Sequence, residues 1–336
     1  MKIKFLFLLC LIYFNSFGQK VINDEVTSFE INDKNQKIEF IVYDNKLEEK
    51  KSILLWCQGS LPYPIYVNTN DGYWLIGGGT TNFDIEYIKK YYHLVVISMP
   101  ETPLIVNENE INDSYWYFGN SKDKNTPSIE FQNADYLDNY VNRAIKVLKY
   151  LKKQNWVDSK KIVVAGHSQG SKVATKIAKQ YKHVSKLGLF SPNPFGRIDQ
   201  NIRAYRKRAE NKEINWETAS DNIEKEYQIY YDSFDEAKRK KSPYLIAWNS
   251  FSVPLIDDWL TFNKPIYIAY GTNDIASELC DLVPLYFIRE KKENLTYKRY
   301  LNSEHNFFQI DENGKPDHRN PKWVEVMNNF IDWSLK

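Results

Sequence analysis

The chain is poor in the residues that often decide function by themselves. Among 336 residues there are three cysteines, Cys10, Cys57 and Cys280, and five histidines. No cysteines and histidines lie at metal-ligand spacing, so no metal site is expected. Cys57 ends an apolar run and reads as a buried free thiol, although an exported chain would permit a disulfide with Cys280. Charge of one sign is lacking too: 45 Lys and Arg face 43 Asp and Glu, a net +2. That balance leaves no basic footprint for nucleic acid. No phosphate loop is present, and the sequence calls for no cofactor. Apolar runs long enough to span a membrane are missing throughout.

The longest such run opens the chain. Met1-Lys2-Ile3-Lys4 carries two positive charges, Phe5 to Phe14 is apolar, and Asn15-Ser16-Phe17-Gly18-Gln19 is a small and polar exit. This is the pattern of a secretory signal peptide over residues 1–19, with cleavage after Gly18 or Gln19. It predicts a secreted or periplasmic protein without a stable membrane anchor. The remaining length, 20–336, suits a single α/β domain with insertions.

What the chain does have is Gly166-His167-Ser168-Gln169-Gly170. The apolar run Ile162-Val163-Val164-Ala165 precedes it, and the helical pattern Ser171 to Ala178 follows. A serine at the apex of so sharp a strand-to-helix turn needs small neighbours, and the helix N-terminus points free N–H groups toward its hydroxyl.

A serine hydroxyl attacks only when a base takes its proton and an acid orients that base. Of the histidines, His93 precedes an apolar strand, His183 ends a helix, His318 lies in a polar loop, and His167 sits inside the turn facing away from the hydroxyl. His305 follows the strand-like Thr296 to Tyr300 and is the expected base. Pro265 to Tyr270 reads as a strand running into Gly271-Thr272-Asn273-Asp274, which makes Asp274 the expected acid, with Asp257 and Asp258 as the fallback. Ser52 to Cys57 is a further buried strand, opening into Gln58-Gly59-Ser60. The backbone N–H groups of Ser60 and Gln169 are the expected oxyanion hole.

These motifs resemble the α/β-hydrolase superfamily. The stretch from Trp156 to Gly170 is similar to the elbow of dienelactone hydrolase-like and prolyl-oligopeptidase-like enzymes. The resemblance covers the core from about residue 37 onward and leaves out 60–85, 100–130 and 195–262. It implies hydrolysis of an ester, thioester or peptide through an acyl-enzyme, with the serine, acid and histidine in that chain order. A carboxylic ester, as a small-molecule substrate, is the leading expectation. A peptidase is the alternative, although residues 20–50 leave no space for a filtering domain, and a catalytically silent binding protein on the same fold is another.

Strand and helix signals alternate along the core. Strands are predicted at 37–43, 52–57, 94–99, 162–165, 187–190, 265–270 and 296–301. Helices are predicted at 83–92, 135–153, 169–182, 277–290 and 321–333. The fold class is therefore α/β: a mostly parallel central sheet with helices on both faces and a helical lid insertion at about 195–260. Gly77-Gly78-Gly79 reads as a flexible loop rather than an anion cradle. Tyr115-Trp116-Tyr117-Phe118 is expected near the pocket mouth. Arg197, Arg203, Arg206 and Arg208 read as a solvated helix face, with an acidic substrate as the less expected account. The insertion's aromatic residues, Tyr227 to Phe234, are expected to help wall the acyl pocket.

Overall fold

Runs of apolar residues buried on both sides form the centre of the sheet. In Ile53-Leu54-Leu55-Trp56-Cys57, successive side chains point to opposite faces, and every one is buried. The computed structural model describes residues 19–23, 25–33 and 36–336. Apart from Gln19, the expected leader lies outside the described residues, as does Cys10.

Nine strands make the main sheet: β1 (Gln19–Asn23), β2 (Val26–Asp33), β3 (Gln36–Val42), β4 (Lys51–Cys57), β5 (Tyr92–Ile97), β6 (Val157–His167), β7 (Val184–Phe190), β8 (Ile266–Gly271) and β9 (Leu295–Tyr300). Their order across the sheet is β1-β2-β3-β5-β4-β6-β7-β8-β9. The pairs from β1 to β5 are antiparallel, and all pairs from β5 to β9 are parallel. The site-bearing strands β4, β6, β8 and β9 thus release their loops at the same end of the sheet.

The principal helices are α1 (Leu137–Leu151), α2 (Gln169–Gln180), α3 (Arg197–Glu210), α4 (Trp216–Phe234), α5 (Pro243–Phe251), α6 (Ile256–Thr261), α7 (Val283–Arg289) and α8 (Trp323–Leu335). Leu137, Val141, Ala144, Val147, Leu148 and Leu151 recur at helical spacing, so α1 buries one stripe. With α2 and α7 it covers the sheet face that carries Ile53, Leu55, Ile162 and Val164. The other face, with Leu54, Trp56, Val163 and Ala165, packs against Trp323, Val326, Phe330 and Ile331 of α8.

Several elements differ from the sequence expectation. β1 and β2 were not anticipated: β1 is a short edge strand that forms by pairing with β2, and β2 pairs on both sides and buries Val26, Phe29 and Ile31. The helix expected over 83–92 is only Ile85–Lys89: the Asp84 carboxylate caps it through Tyr87 N, and Tyr92 already belongs to β5. The helix expected over 277–290 is a 3-10 turn, Glu278–Leu282, followed by α7, with proline in the first turn of α7. The helix expected from 321 starts at Trp323, because Pro316–Pro321 pairs with Phe308–Ile310.

Within the insertion, the polar helices α3 and α4 are followed by α5 and α6. Cys57 and Cys280 are buried free thiols. Among the described residues no helix is long and apolar enough to cross a membrane.

Candidate active site

The turn after β6 is shaped by close backbone approach. Ser168 has φ 55° and ψ −121°, and its N–H donates to Phe190 O at 2.9 Å. A Cβ on Gly166 would lie 2.2 Å from Gly170 O, and one on Gly170 would lie 2.1 Å from Cys57 O. Glycine is therefore required at both positions, and Ser168 bears the left-handed strain between them. Gln169 begins α2, where its N–H has no intrahelical acceptor.

His305 lies in the loop after β9, and Asp274 in the loop after β8. Asn273 N donates to Ser303 O at 2.9 Å, tying the two loops together. His305 Nδ1 is 2.9 Å from Asp274 Oδ2, and His305 Nε2 is 2.8 Å from Ser168 Oγ. A carboxylate only accepts, so Nδ1 carries the hydrogen and Nε2 is left to accept from the serine. Asp274 is 3% exposed, and it also accepts from Ala276 N at 2.9 Å and Ser277 Oγ at 2.5 Å.

The electrostatics follow from these contacts. Burial pushes Asp274 up, but the hydrogen bond and charge of His305, with the Ser277 and Ala276 donors, outweigh it and hold the carboxyl below its ordinary value. Burial pushes His305 down, but the Asp274 hydrogen bond and charge outweigh it and leave the imidazole raised.

His167 has a role that sequence reasoning missed. Its Nε2 is 2.9 Å from the carbonyl oxygen of His305, and Ser191 Oγ donates to the same oxygen at 2.8 Å. Burial, then the His305 charge, lowers His167 to about 3, so the neutral ring donates its Nε2–H and anchors the His305 backbone. The middle residue of a Gly-x-Ser motif carries no signal of this, since the partner lies 138 residues away.

Two cavities meet at Ser168. A cleft of about 360 Å³ is walled by Gln58 to Leu61, Tyr63, Ile76, Gly78, Gly79 and Asn306. A pocket of about 230 Å³ lies on the other side, walled by Gln169, Lys172, Asn193, Arg197 and neighbours. Ser60 and His305 border both. Gln58 Nε2 donates to Ile97 O at 2.5 Å and supports the Ser60 loop. The glycine triplet is a tight 3-10 turn with positive φ at all three residues, and Gly78 O accepts from Trp56 Nε1 at 3.1 Å.

Other expected residues are placed elsewhere. Asp258 pairs with Lys176 and Lys179 on α2, away from the imidazole. His93 is buried with Nε2 at 3.0 Å from Glu49 O, His183 contacts Lys152, and the His318 ring lies 4.7 Å from that of Phe308. None of Tyr115 to Phe118 lines either cavity. Trp116 is buried in its own loop, and Tyr115 packs edge-on against Trp74. Tyr227, Tyr231 and Phe234, expected to help wall the acyl pocket, are solvent-exposed and line neither cavity.

No family model and no curated protein matches the sequence. Solved structures do match in shape. A Bacteroides ovatus chain assigned as a dipeptidyl aminopeptidase IV aligns with TM-score 0.56 at 12% identity, over 92% of this chain and 35% of its own. The acylaminoacyl peptidase of Pyrococcus horikoshii aligns with TM-score 0.52 at 12% identity, over 95% and 42%. Acetyl xylan esterase 1 of a Thermoanaerobacterium species aligns with TM-score 0.52 at 13% identity, over 95% and 87%. This chain thus spans well under half of either peptidase. It has the α/β-hydrolase fold.

Proposed function

We propose that the protein is a serine hydrolase that cleaves a carboxylic ester through an acyl-enzyme. The observation that carries this reading is the hydrogen-bonded series from Asp274 through His305 to a serine held in a left-handed turn at a helix N-terminus. Ser168 Oγ attacks the acyl carbon as its proton passes to His305 Nε2. The carbonyl oxygen becomes an oxyanion, held by the N–H groups of Gln169 and Ser60. The tetrahedral species collapses, the alkoxide takes the proton from Nε2, and the acyl group stays on Ser168. Water, deprotonated by the same nitrogen, then adds to the acyl carbon, and collapse returns the proton to Ser168 and frees the acid. Asp274 holds the tautomer and stabilises the imidazolium throughout.

A peptidase would use the same steps with an amine leaving group, and the two peptidase neighbours keep that reading second. The esterase neighbour, matched over most of its own length, favours the ester. Export rests on the residue 1–19 pattern alone, and a lid role for 195–260 rests on Arg197, Gln200 and Asn201 bordering one cavity.

A fluorophosphonate probe should label wild-type protein and leave Ser168→Ala unlabelled. Short-chain 4-nitrophenyl esters should be turned over faster than aminoacyl amides. Probe attachment at another residue, or none at all, would sink the nucleophile assignment.

A further inference from the structure

The smaller pocket beside Ser168 is lined by two basic side chains that touch no carboxylate. Lys172, on the first turn of α2, is 6% exposed, and its ammonium has one hydrogen bond, to Phe251 O at 2.7 Å. Arg197, at the start of α3, donates to Gln169 Oε1 at 2.9 Å and lies over the rings of Trp248 and Phe251. Among the described residues neither side chain has a carboxylate within ion-pair distance. Their α3 neighbours differ: Arg203 pairs with Asp199 and Glu278, Arg208 with Glu213, and Arg206 lies over Trp216.

Two carboxylates act on these basic groups from beyond ion-pair distance, Asp135 on Arg197 and Asp199 on Lys172. Asp135 accepts from Tyr140 Oη at 2.8 Å and Gln169 Nε2 at 3.2 Å, and Asp199 is held by Arg203. Burial and the Arg197 charge lower Lys172 to about 7, and the Asp199 charge offsets them only in part.

A third side chain bordering the pocket is incompletely paired. Asn193 is 5% exposed and lines the same pocket. Its Oδ1 accepts from Phe195 N and Gly196 N, at 3.0 and 2.9 Å, which fixes the amide orientation. Its Nδ2 is buried and has no acceptor. A buried donor without an acceptor costs stability unless something fills the place. A guanidinium, a lysine amine that an anion would hold protonated, and an amide without an acceptor around one cavity match the oxygens of a carboxylate.

We propose that this pocket is a subsite for a carboxylate carried by the substrate, so that the ester bears an anionic group on one side of the scissile bond. The inference rests on the ester-hydrolase reading. It specifies the substrate class and leaves open whether the carboxylate belongs to the acyl or the alcohol part.

The test compares matched esters. Monoethyl glutarate against ethyl pentanoate places the charge on the acyl side, and 4-acetoxybenzoate against 4-acetoxybenzamide places it on the alcohol side. One anionic ester should have kcat/KM at least about tenfold above its neutral partner, the worth of one charge-assisted hydrogen bond. Arg197→Gln should bring that ratio close to one, with partial recovery in Arg197→Lys. Because Arg197 also holds Gln169, a second variant is needed. Asn193→Asp keeps the Oδ1 acceptor and replaces the orphaned donor with an anionic oxygen, and it too should collapse the ratio while thermal unfolding shows a folded protein. No preference in either pair, in a protein whose Ser168 takes the fluorophosphonate, overturns the subsite and leaves the hydrolase reading standing. Should hydrolysis and labelling both fail, calorimetry with glutarate and 4-hydroxybenzoate decides the subsite. Binding of either that weakens at least about tenfold in Asn193→Asp supports it, and no binding, or equal binding to the variant, overturns it.

Discussion

The two cavities at Ser168 are built by different parts of the chain and from different materials. The larger cleft is walled mainly by the loops after β4, where Leu61, Tyr63 and Ile76 meet the backbone of a glycine turn. The smaller pocket is walled by α2, the segment after β7 and the start of α3, and it presents Lys172, Arg197 and an unpaired Asn193 amide. Apolar walls reward any apolar group of the right size, whereas buried charges and amides reward only a partner that completes them. The loop after β4 thus shapes what fits beside Ser168, and on the proposed reading the start of the insertion adds the polar partners.

Substitutions can break or sharpen this contrast. Ser168→Ala removes the nucleophile at which both cavities meet, and should reduce kcat by about 10⁴- to 10⁶-fold on every ester, neutral or anionic, with the fold retained by circular dichroism. Loss confined to one substrate class would separate the cavities from a common nucleophile.

Asp274→Asn should lower kcat by about 10³- to 10⁴-fold, because the imidazole loses its tautomer partner. The pH profile carries the sign. Neutral His305 is the working form, so kcat/KM rises as pH climbs through its pKa. Burial pulls that pKa down and Asp274 more than restores it, which leaves it above the ordinary 6.5. In Asp274→Asn the inflection should move to lower pH, and an unchanged inflection would show that another group titrates.

Tyr63→Ala widens the apolar cleft alone. It should cost about 1–2 kcal/mol on long-chain neutral esters, roughly five- to thirtyfold in kcat/KM, and little on acetates. A larger effect on the anionic member of a matched pair would blur the division between the cavities. The smallest effect is expected from Tyr231→Ala. That residue is 73% exposed on the insertion and lines neither cavity, so stability should change by less than about 0.5 kcal/mol and the kinetics not at all.

The legible parts of the molecule were those with local causes. β6 and the turn after it are encoded within a few residues, as an apolar run, two glycines and an amphipathic helix. Ser168, Asp274 and His305 were singled out by their positions after strands, and the structure brings these three side chains into one hydrogen-bonded series. The edge strand β1 was missed because a short, mostly polar stretch becomes strand only when a neighbour supplies the ladder, and β2 was missed although Val26, Phe29 and Ile31 are buried in the core. The aromatic run at 115–118 was misplaced because composition tells that such residues pack without telling against what.

By itself the sequence determined the α/β alternation, the elbow and the balance of charge, since each depends on residues adjacent in the chain or at helical or strand spacing. Only the tertiary structure decided which groups share the space around Ser168. His167 anchors a carbonyl 138 residues away, and Lys172 and Arg197 look like surface charges on two amphipathic helices. Lys172 is buried and Arg197 half-buried where the insertion packs over α2, a long-range contact that no local pattern specifies.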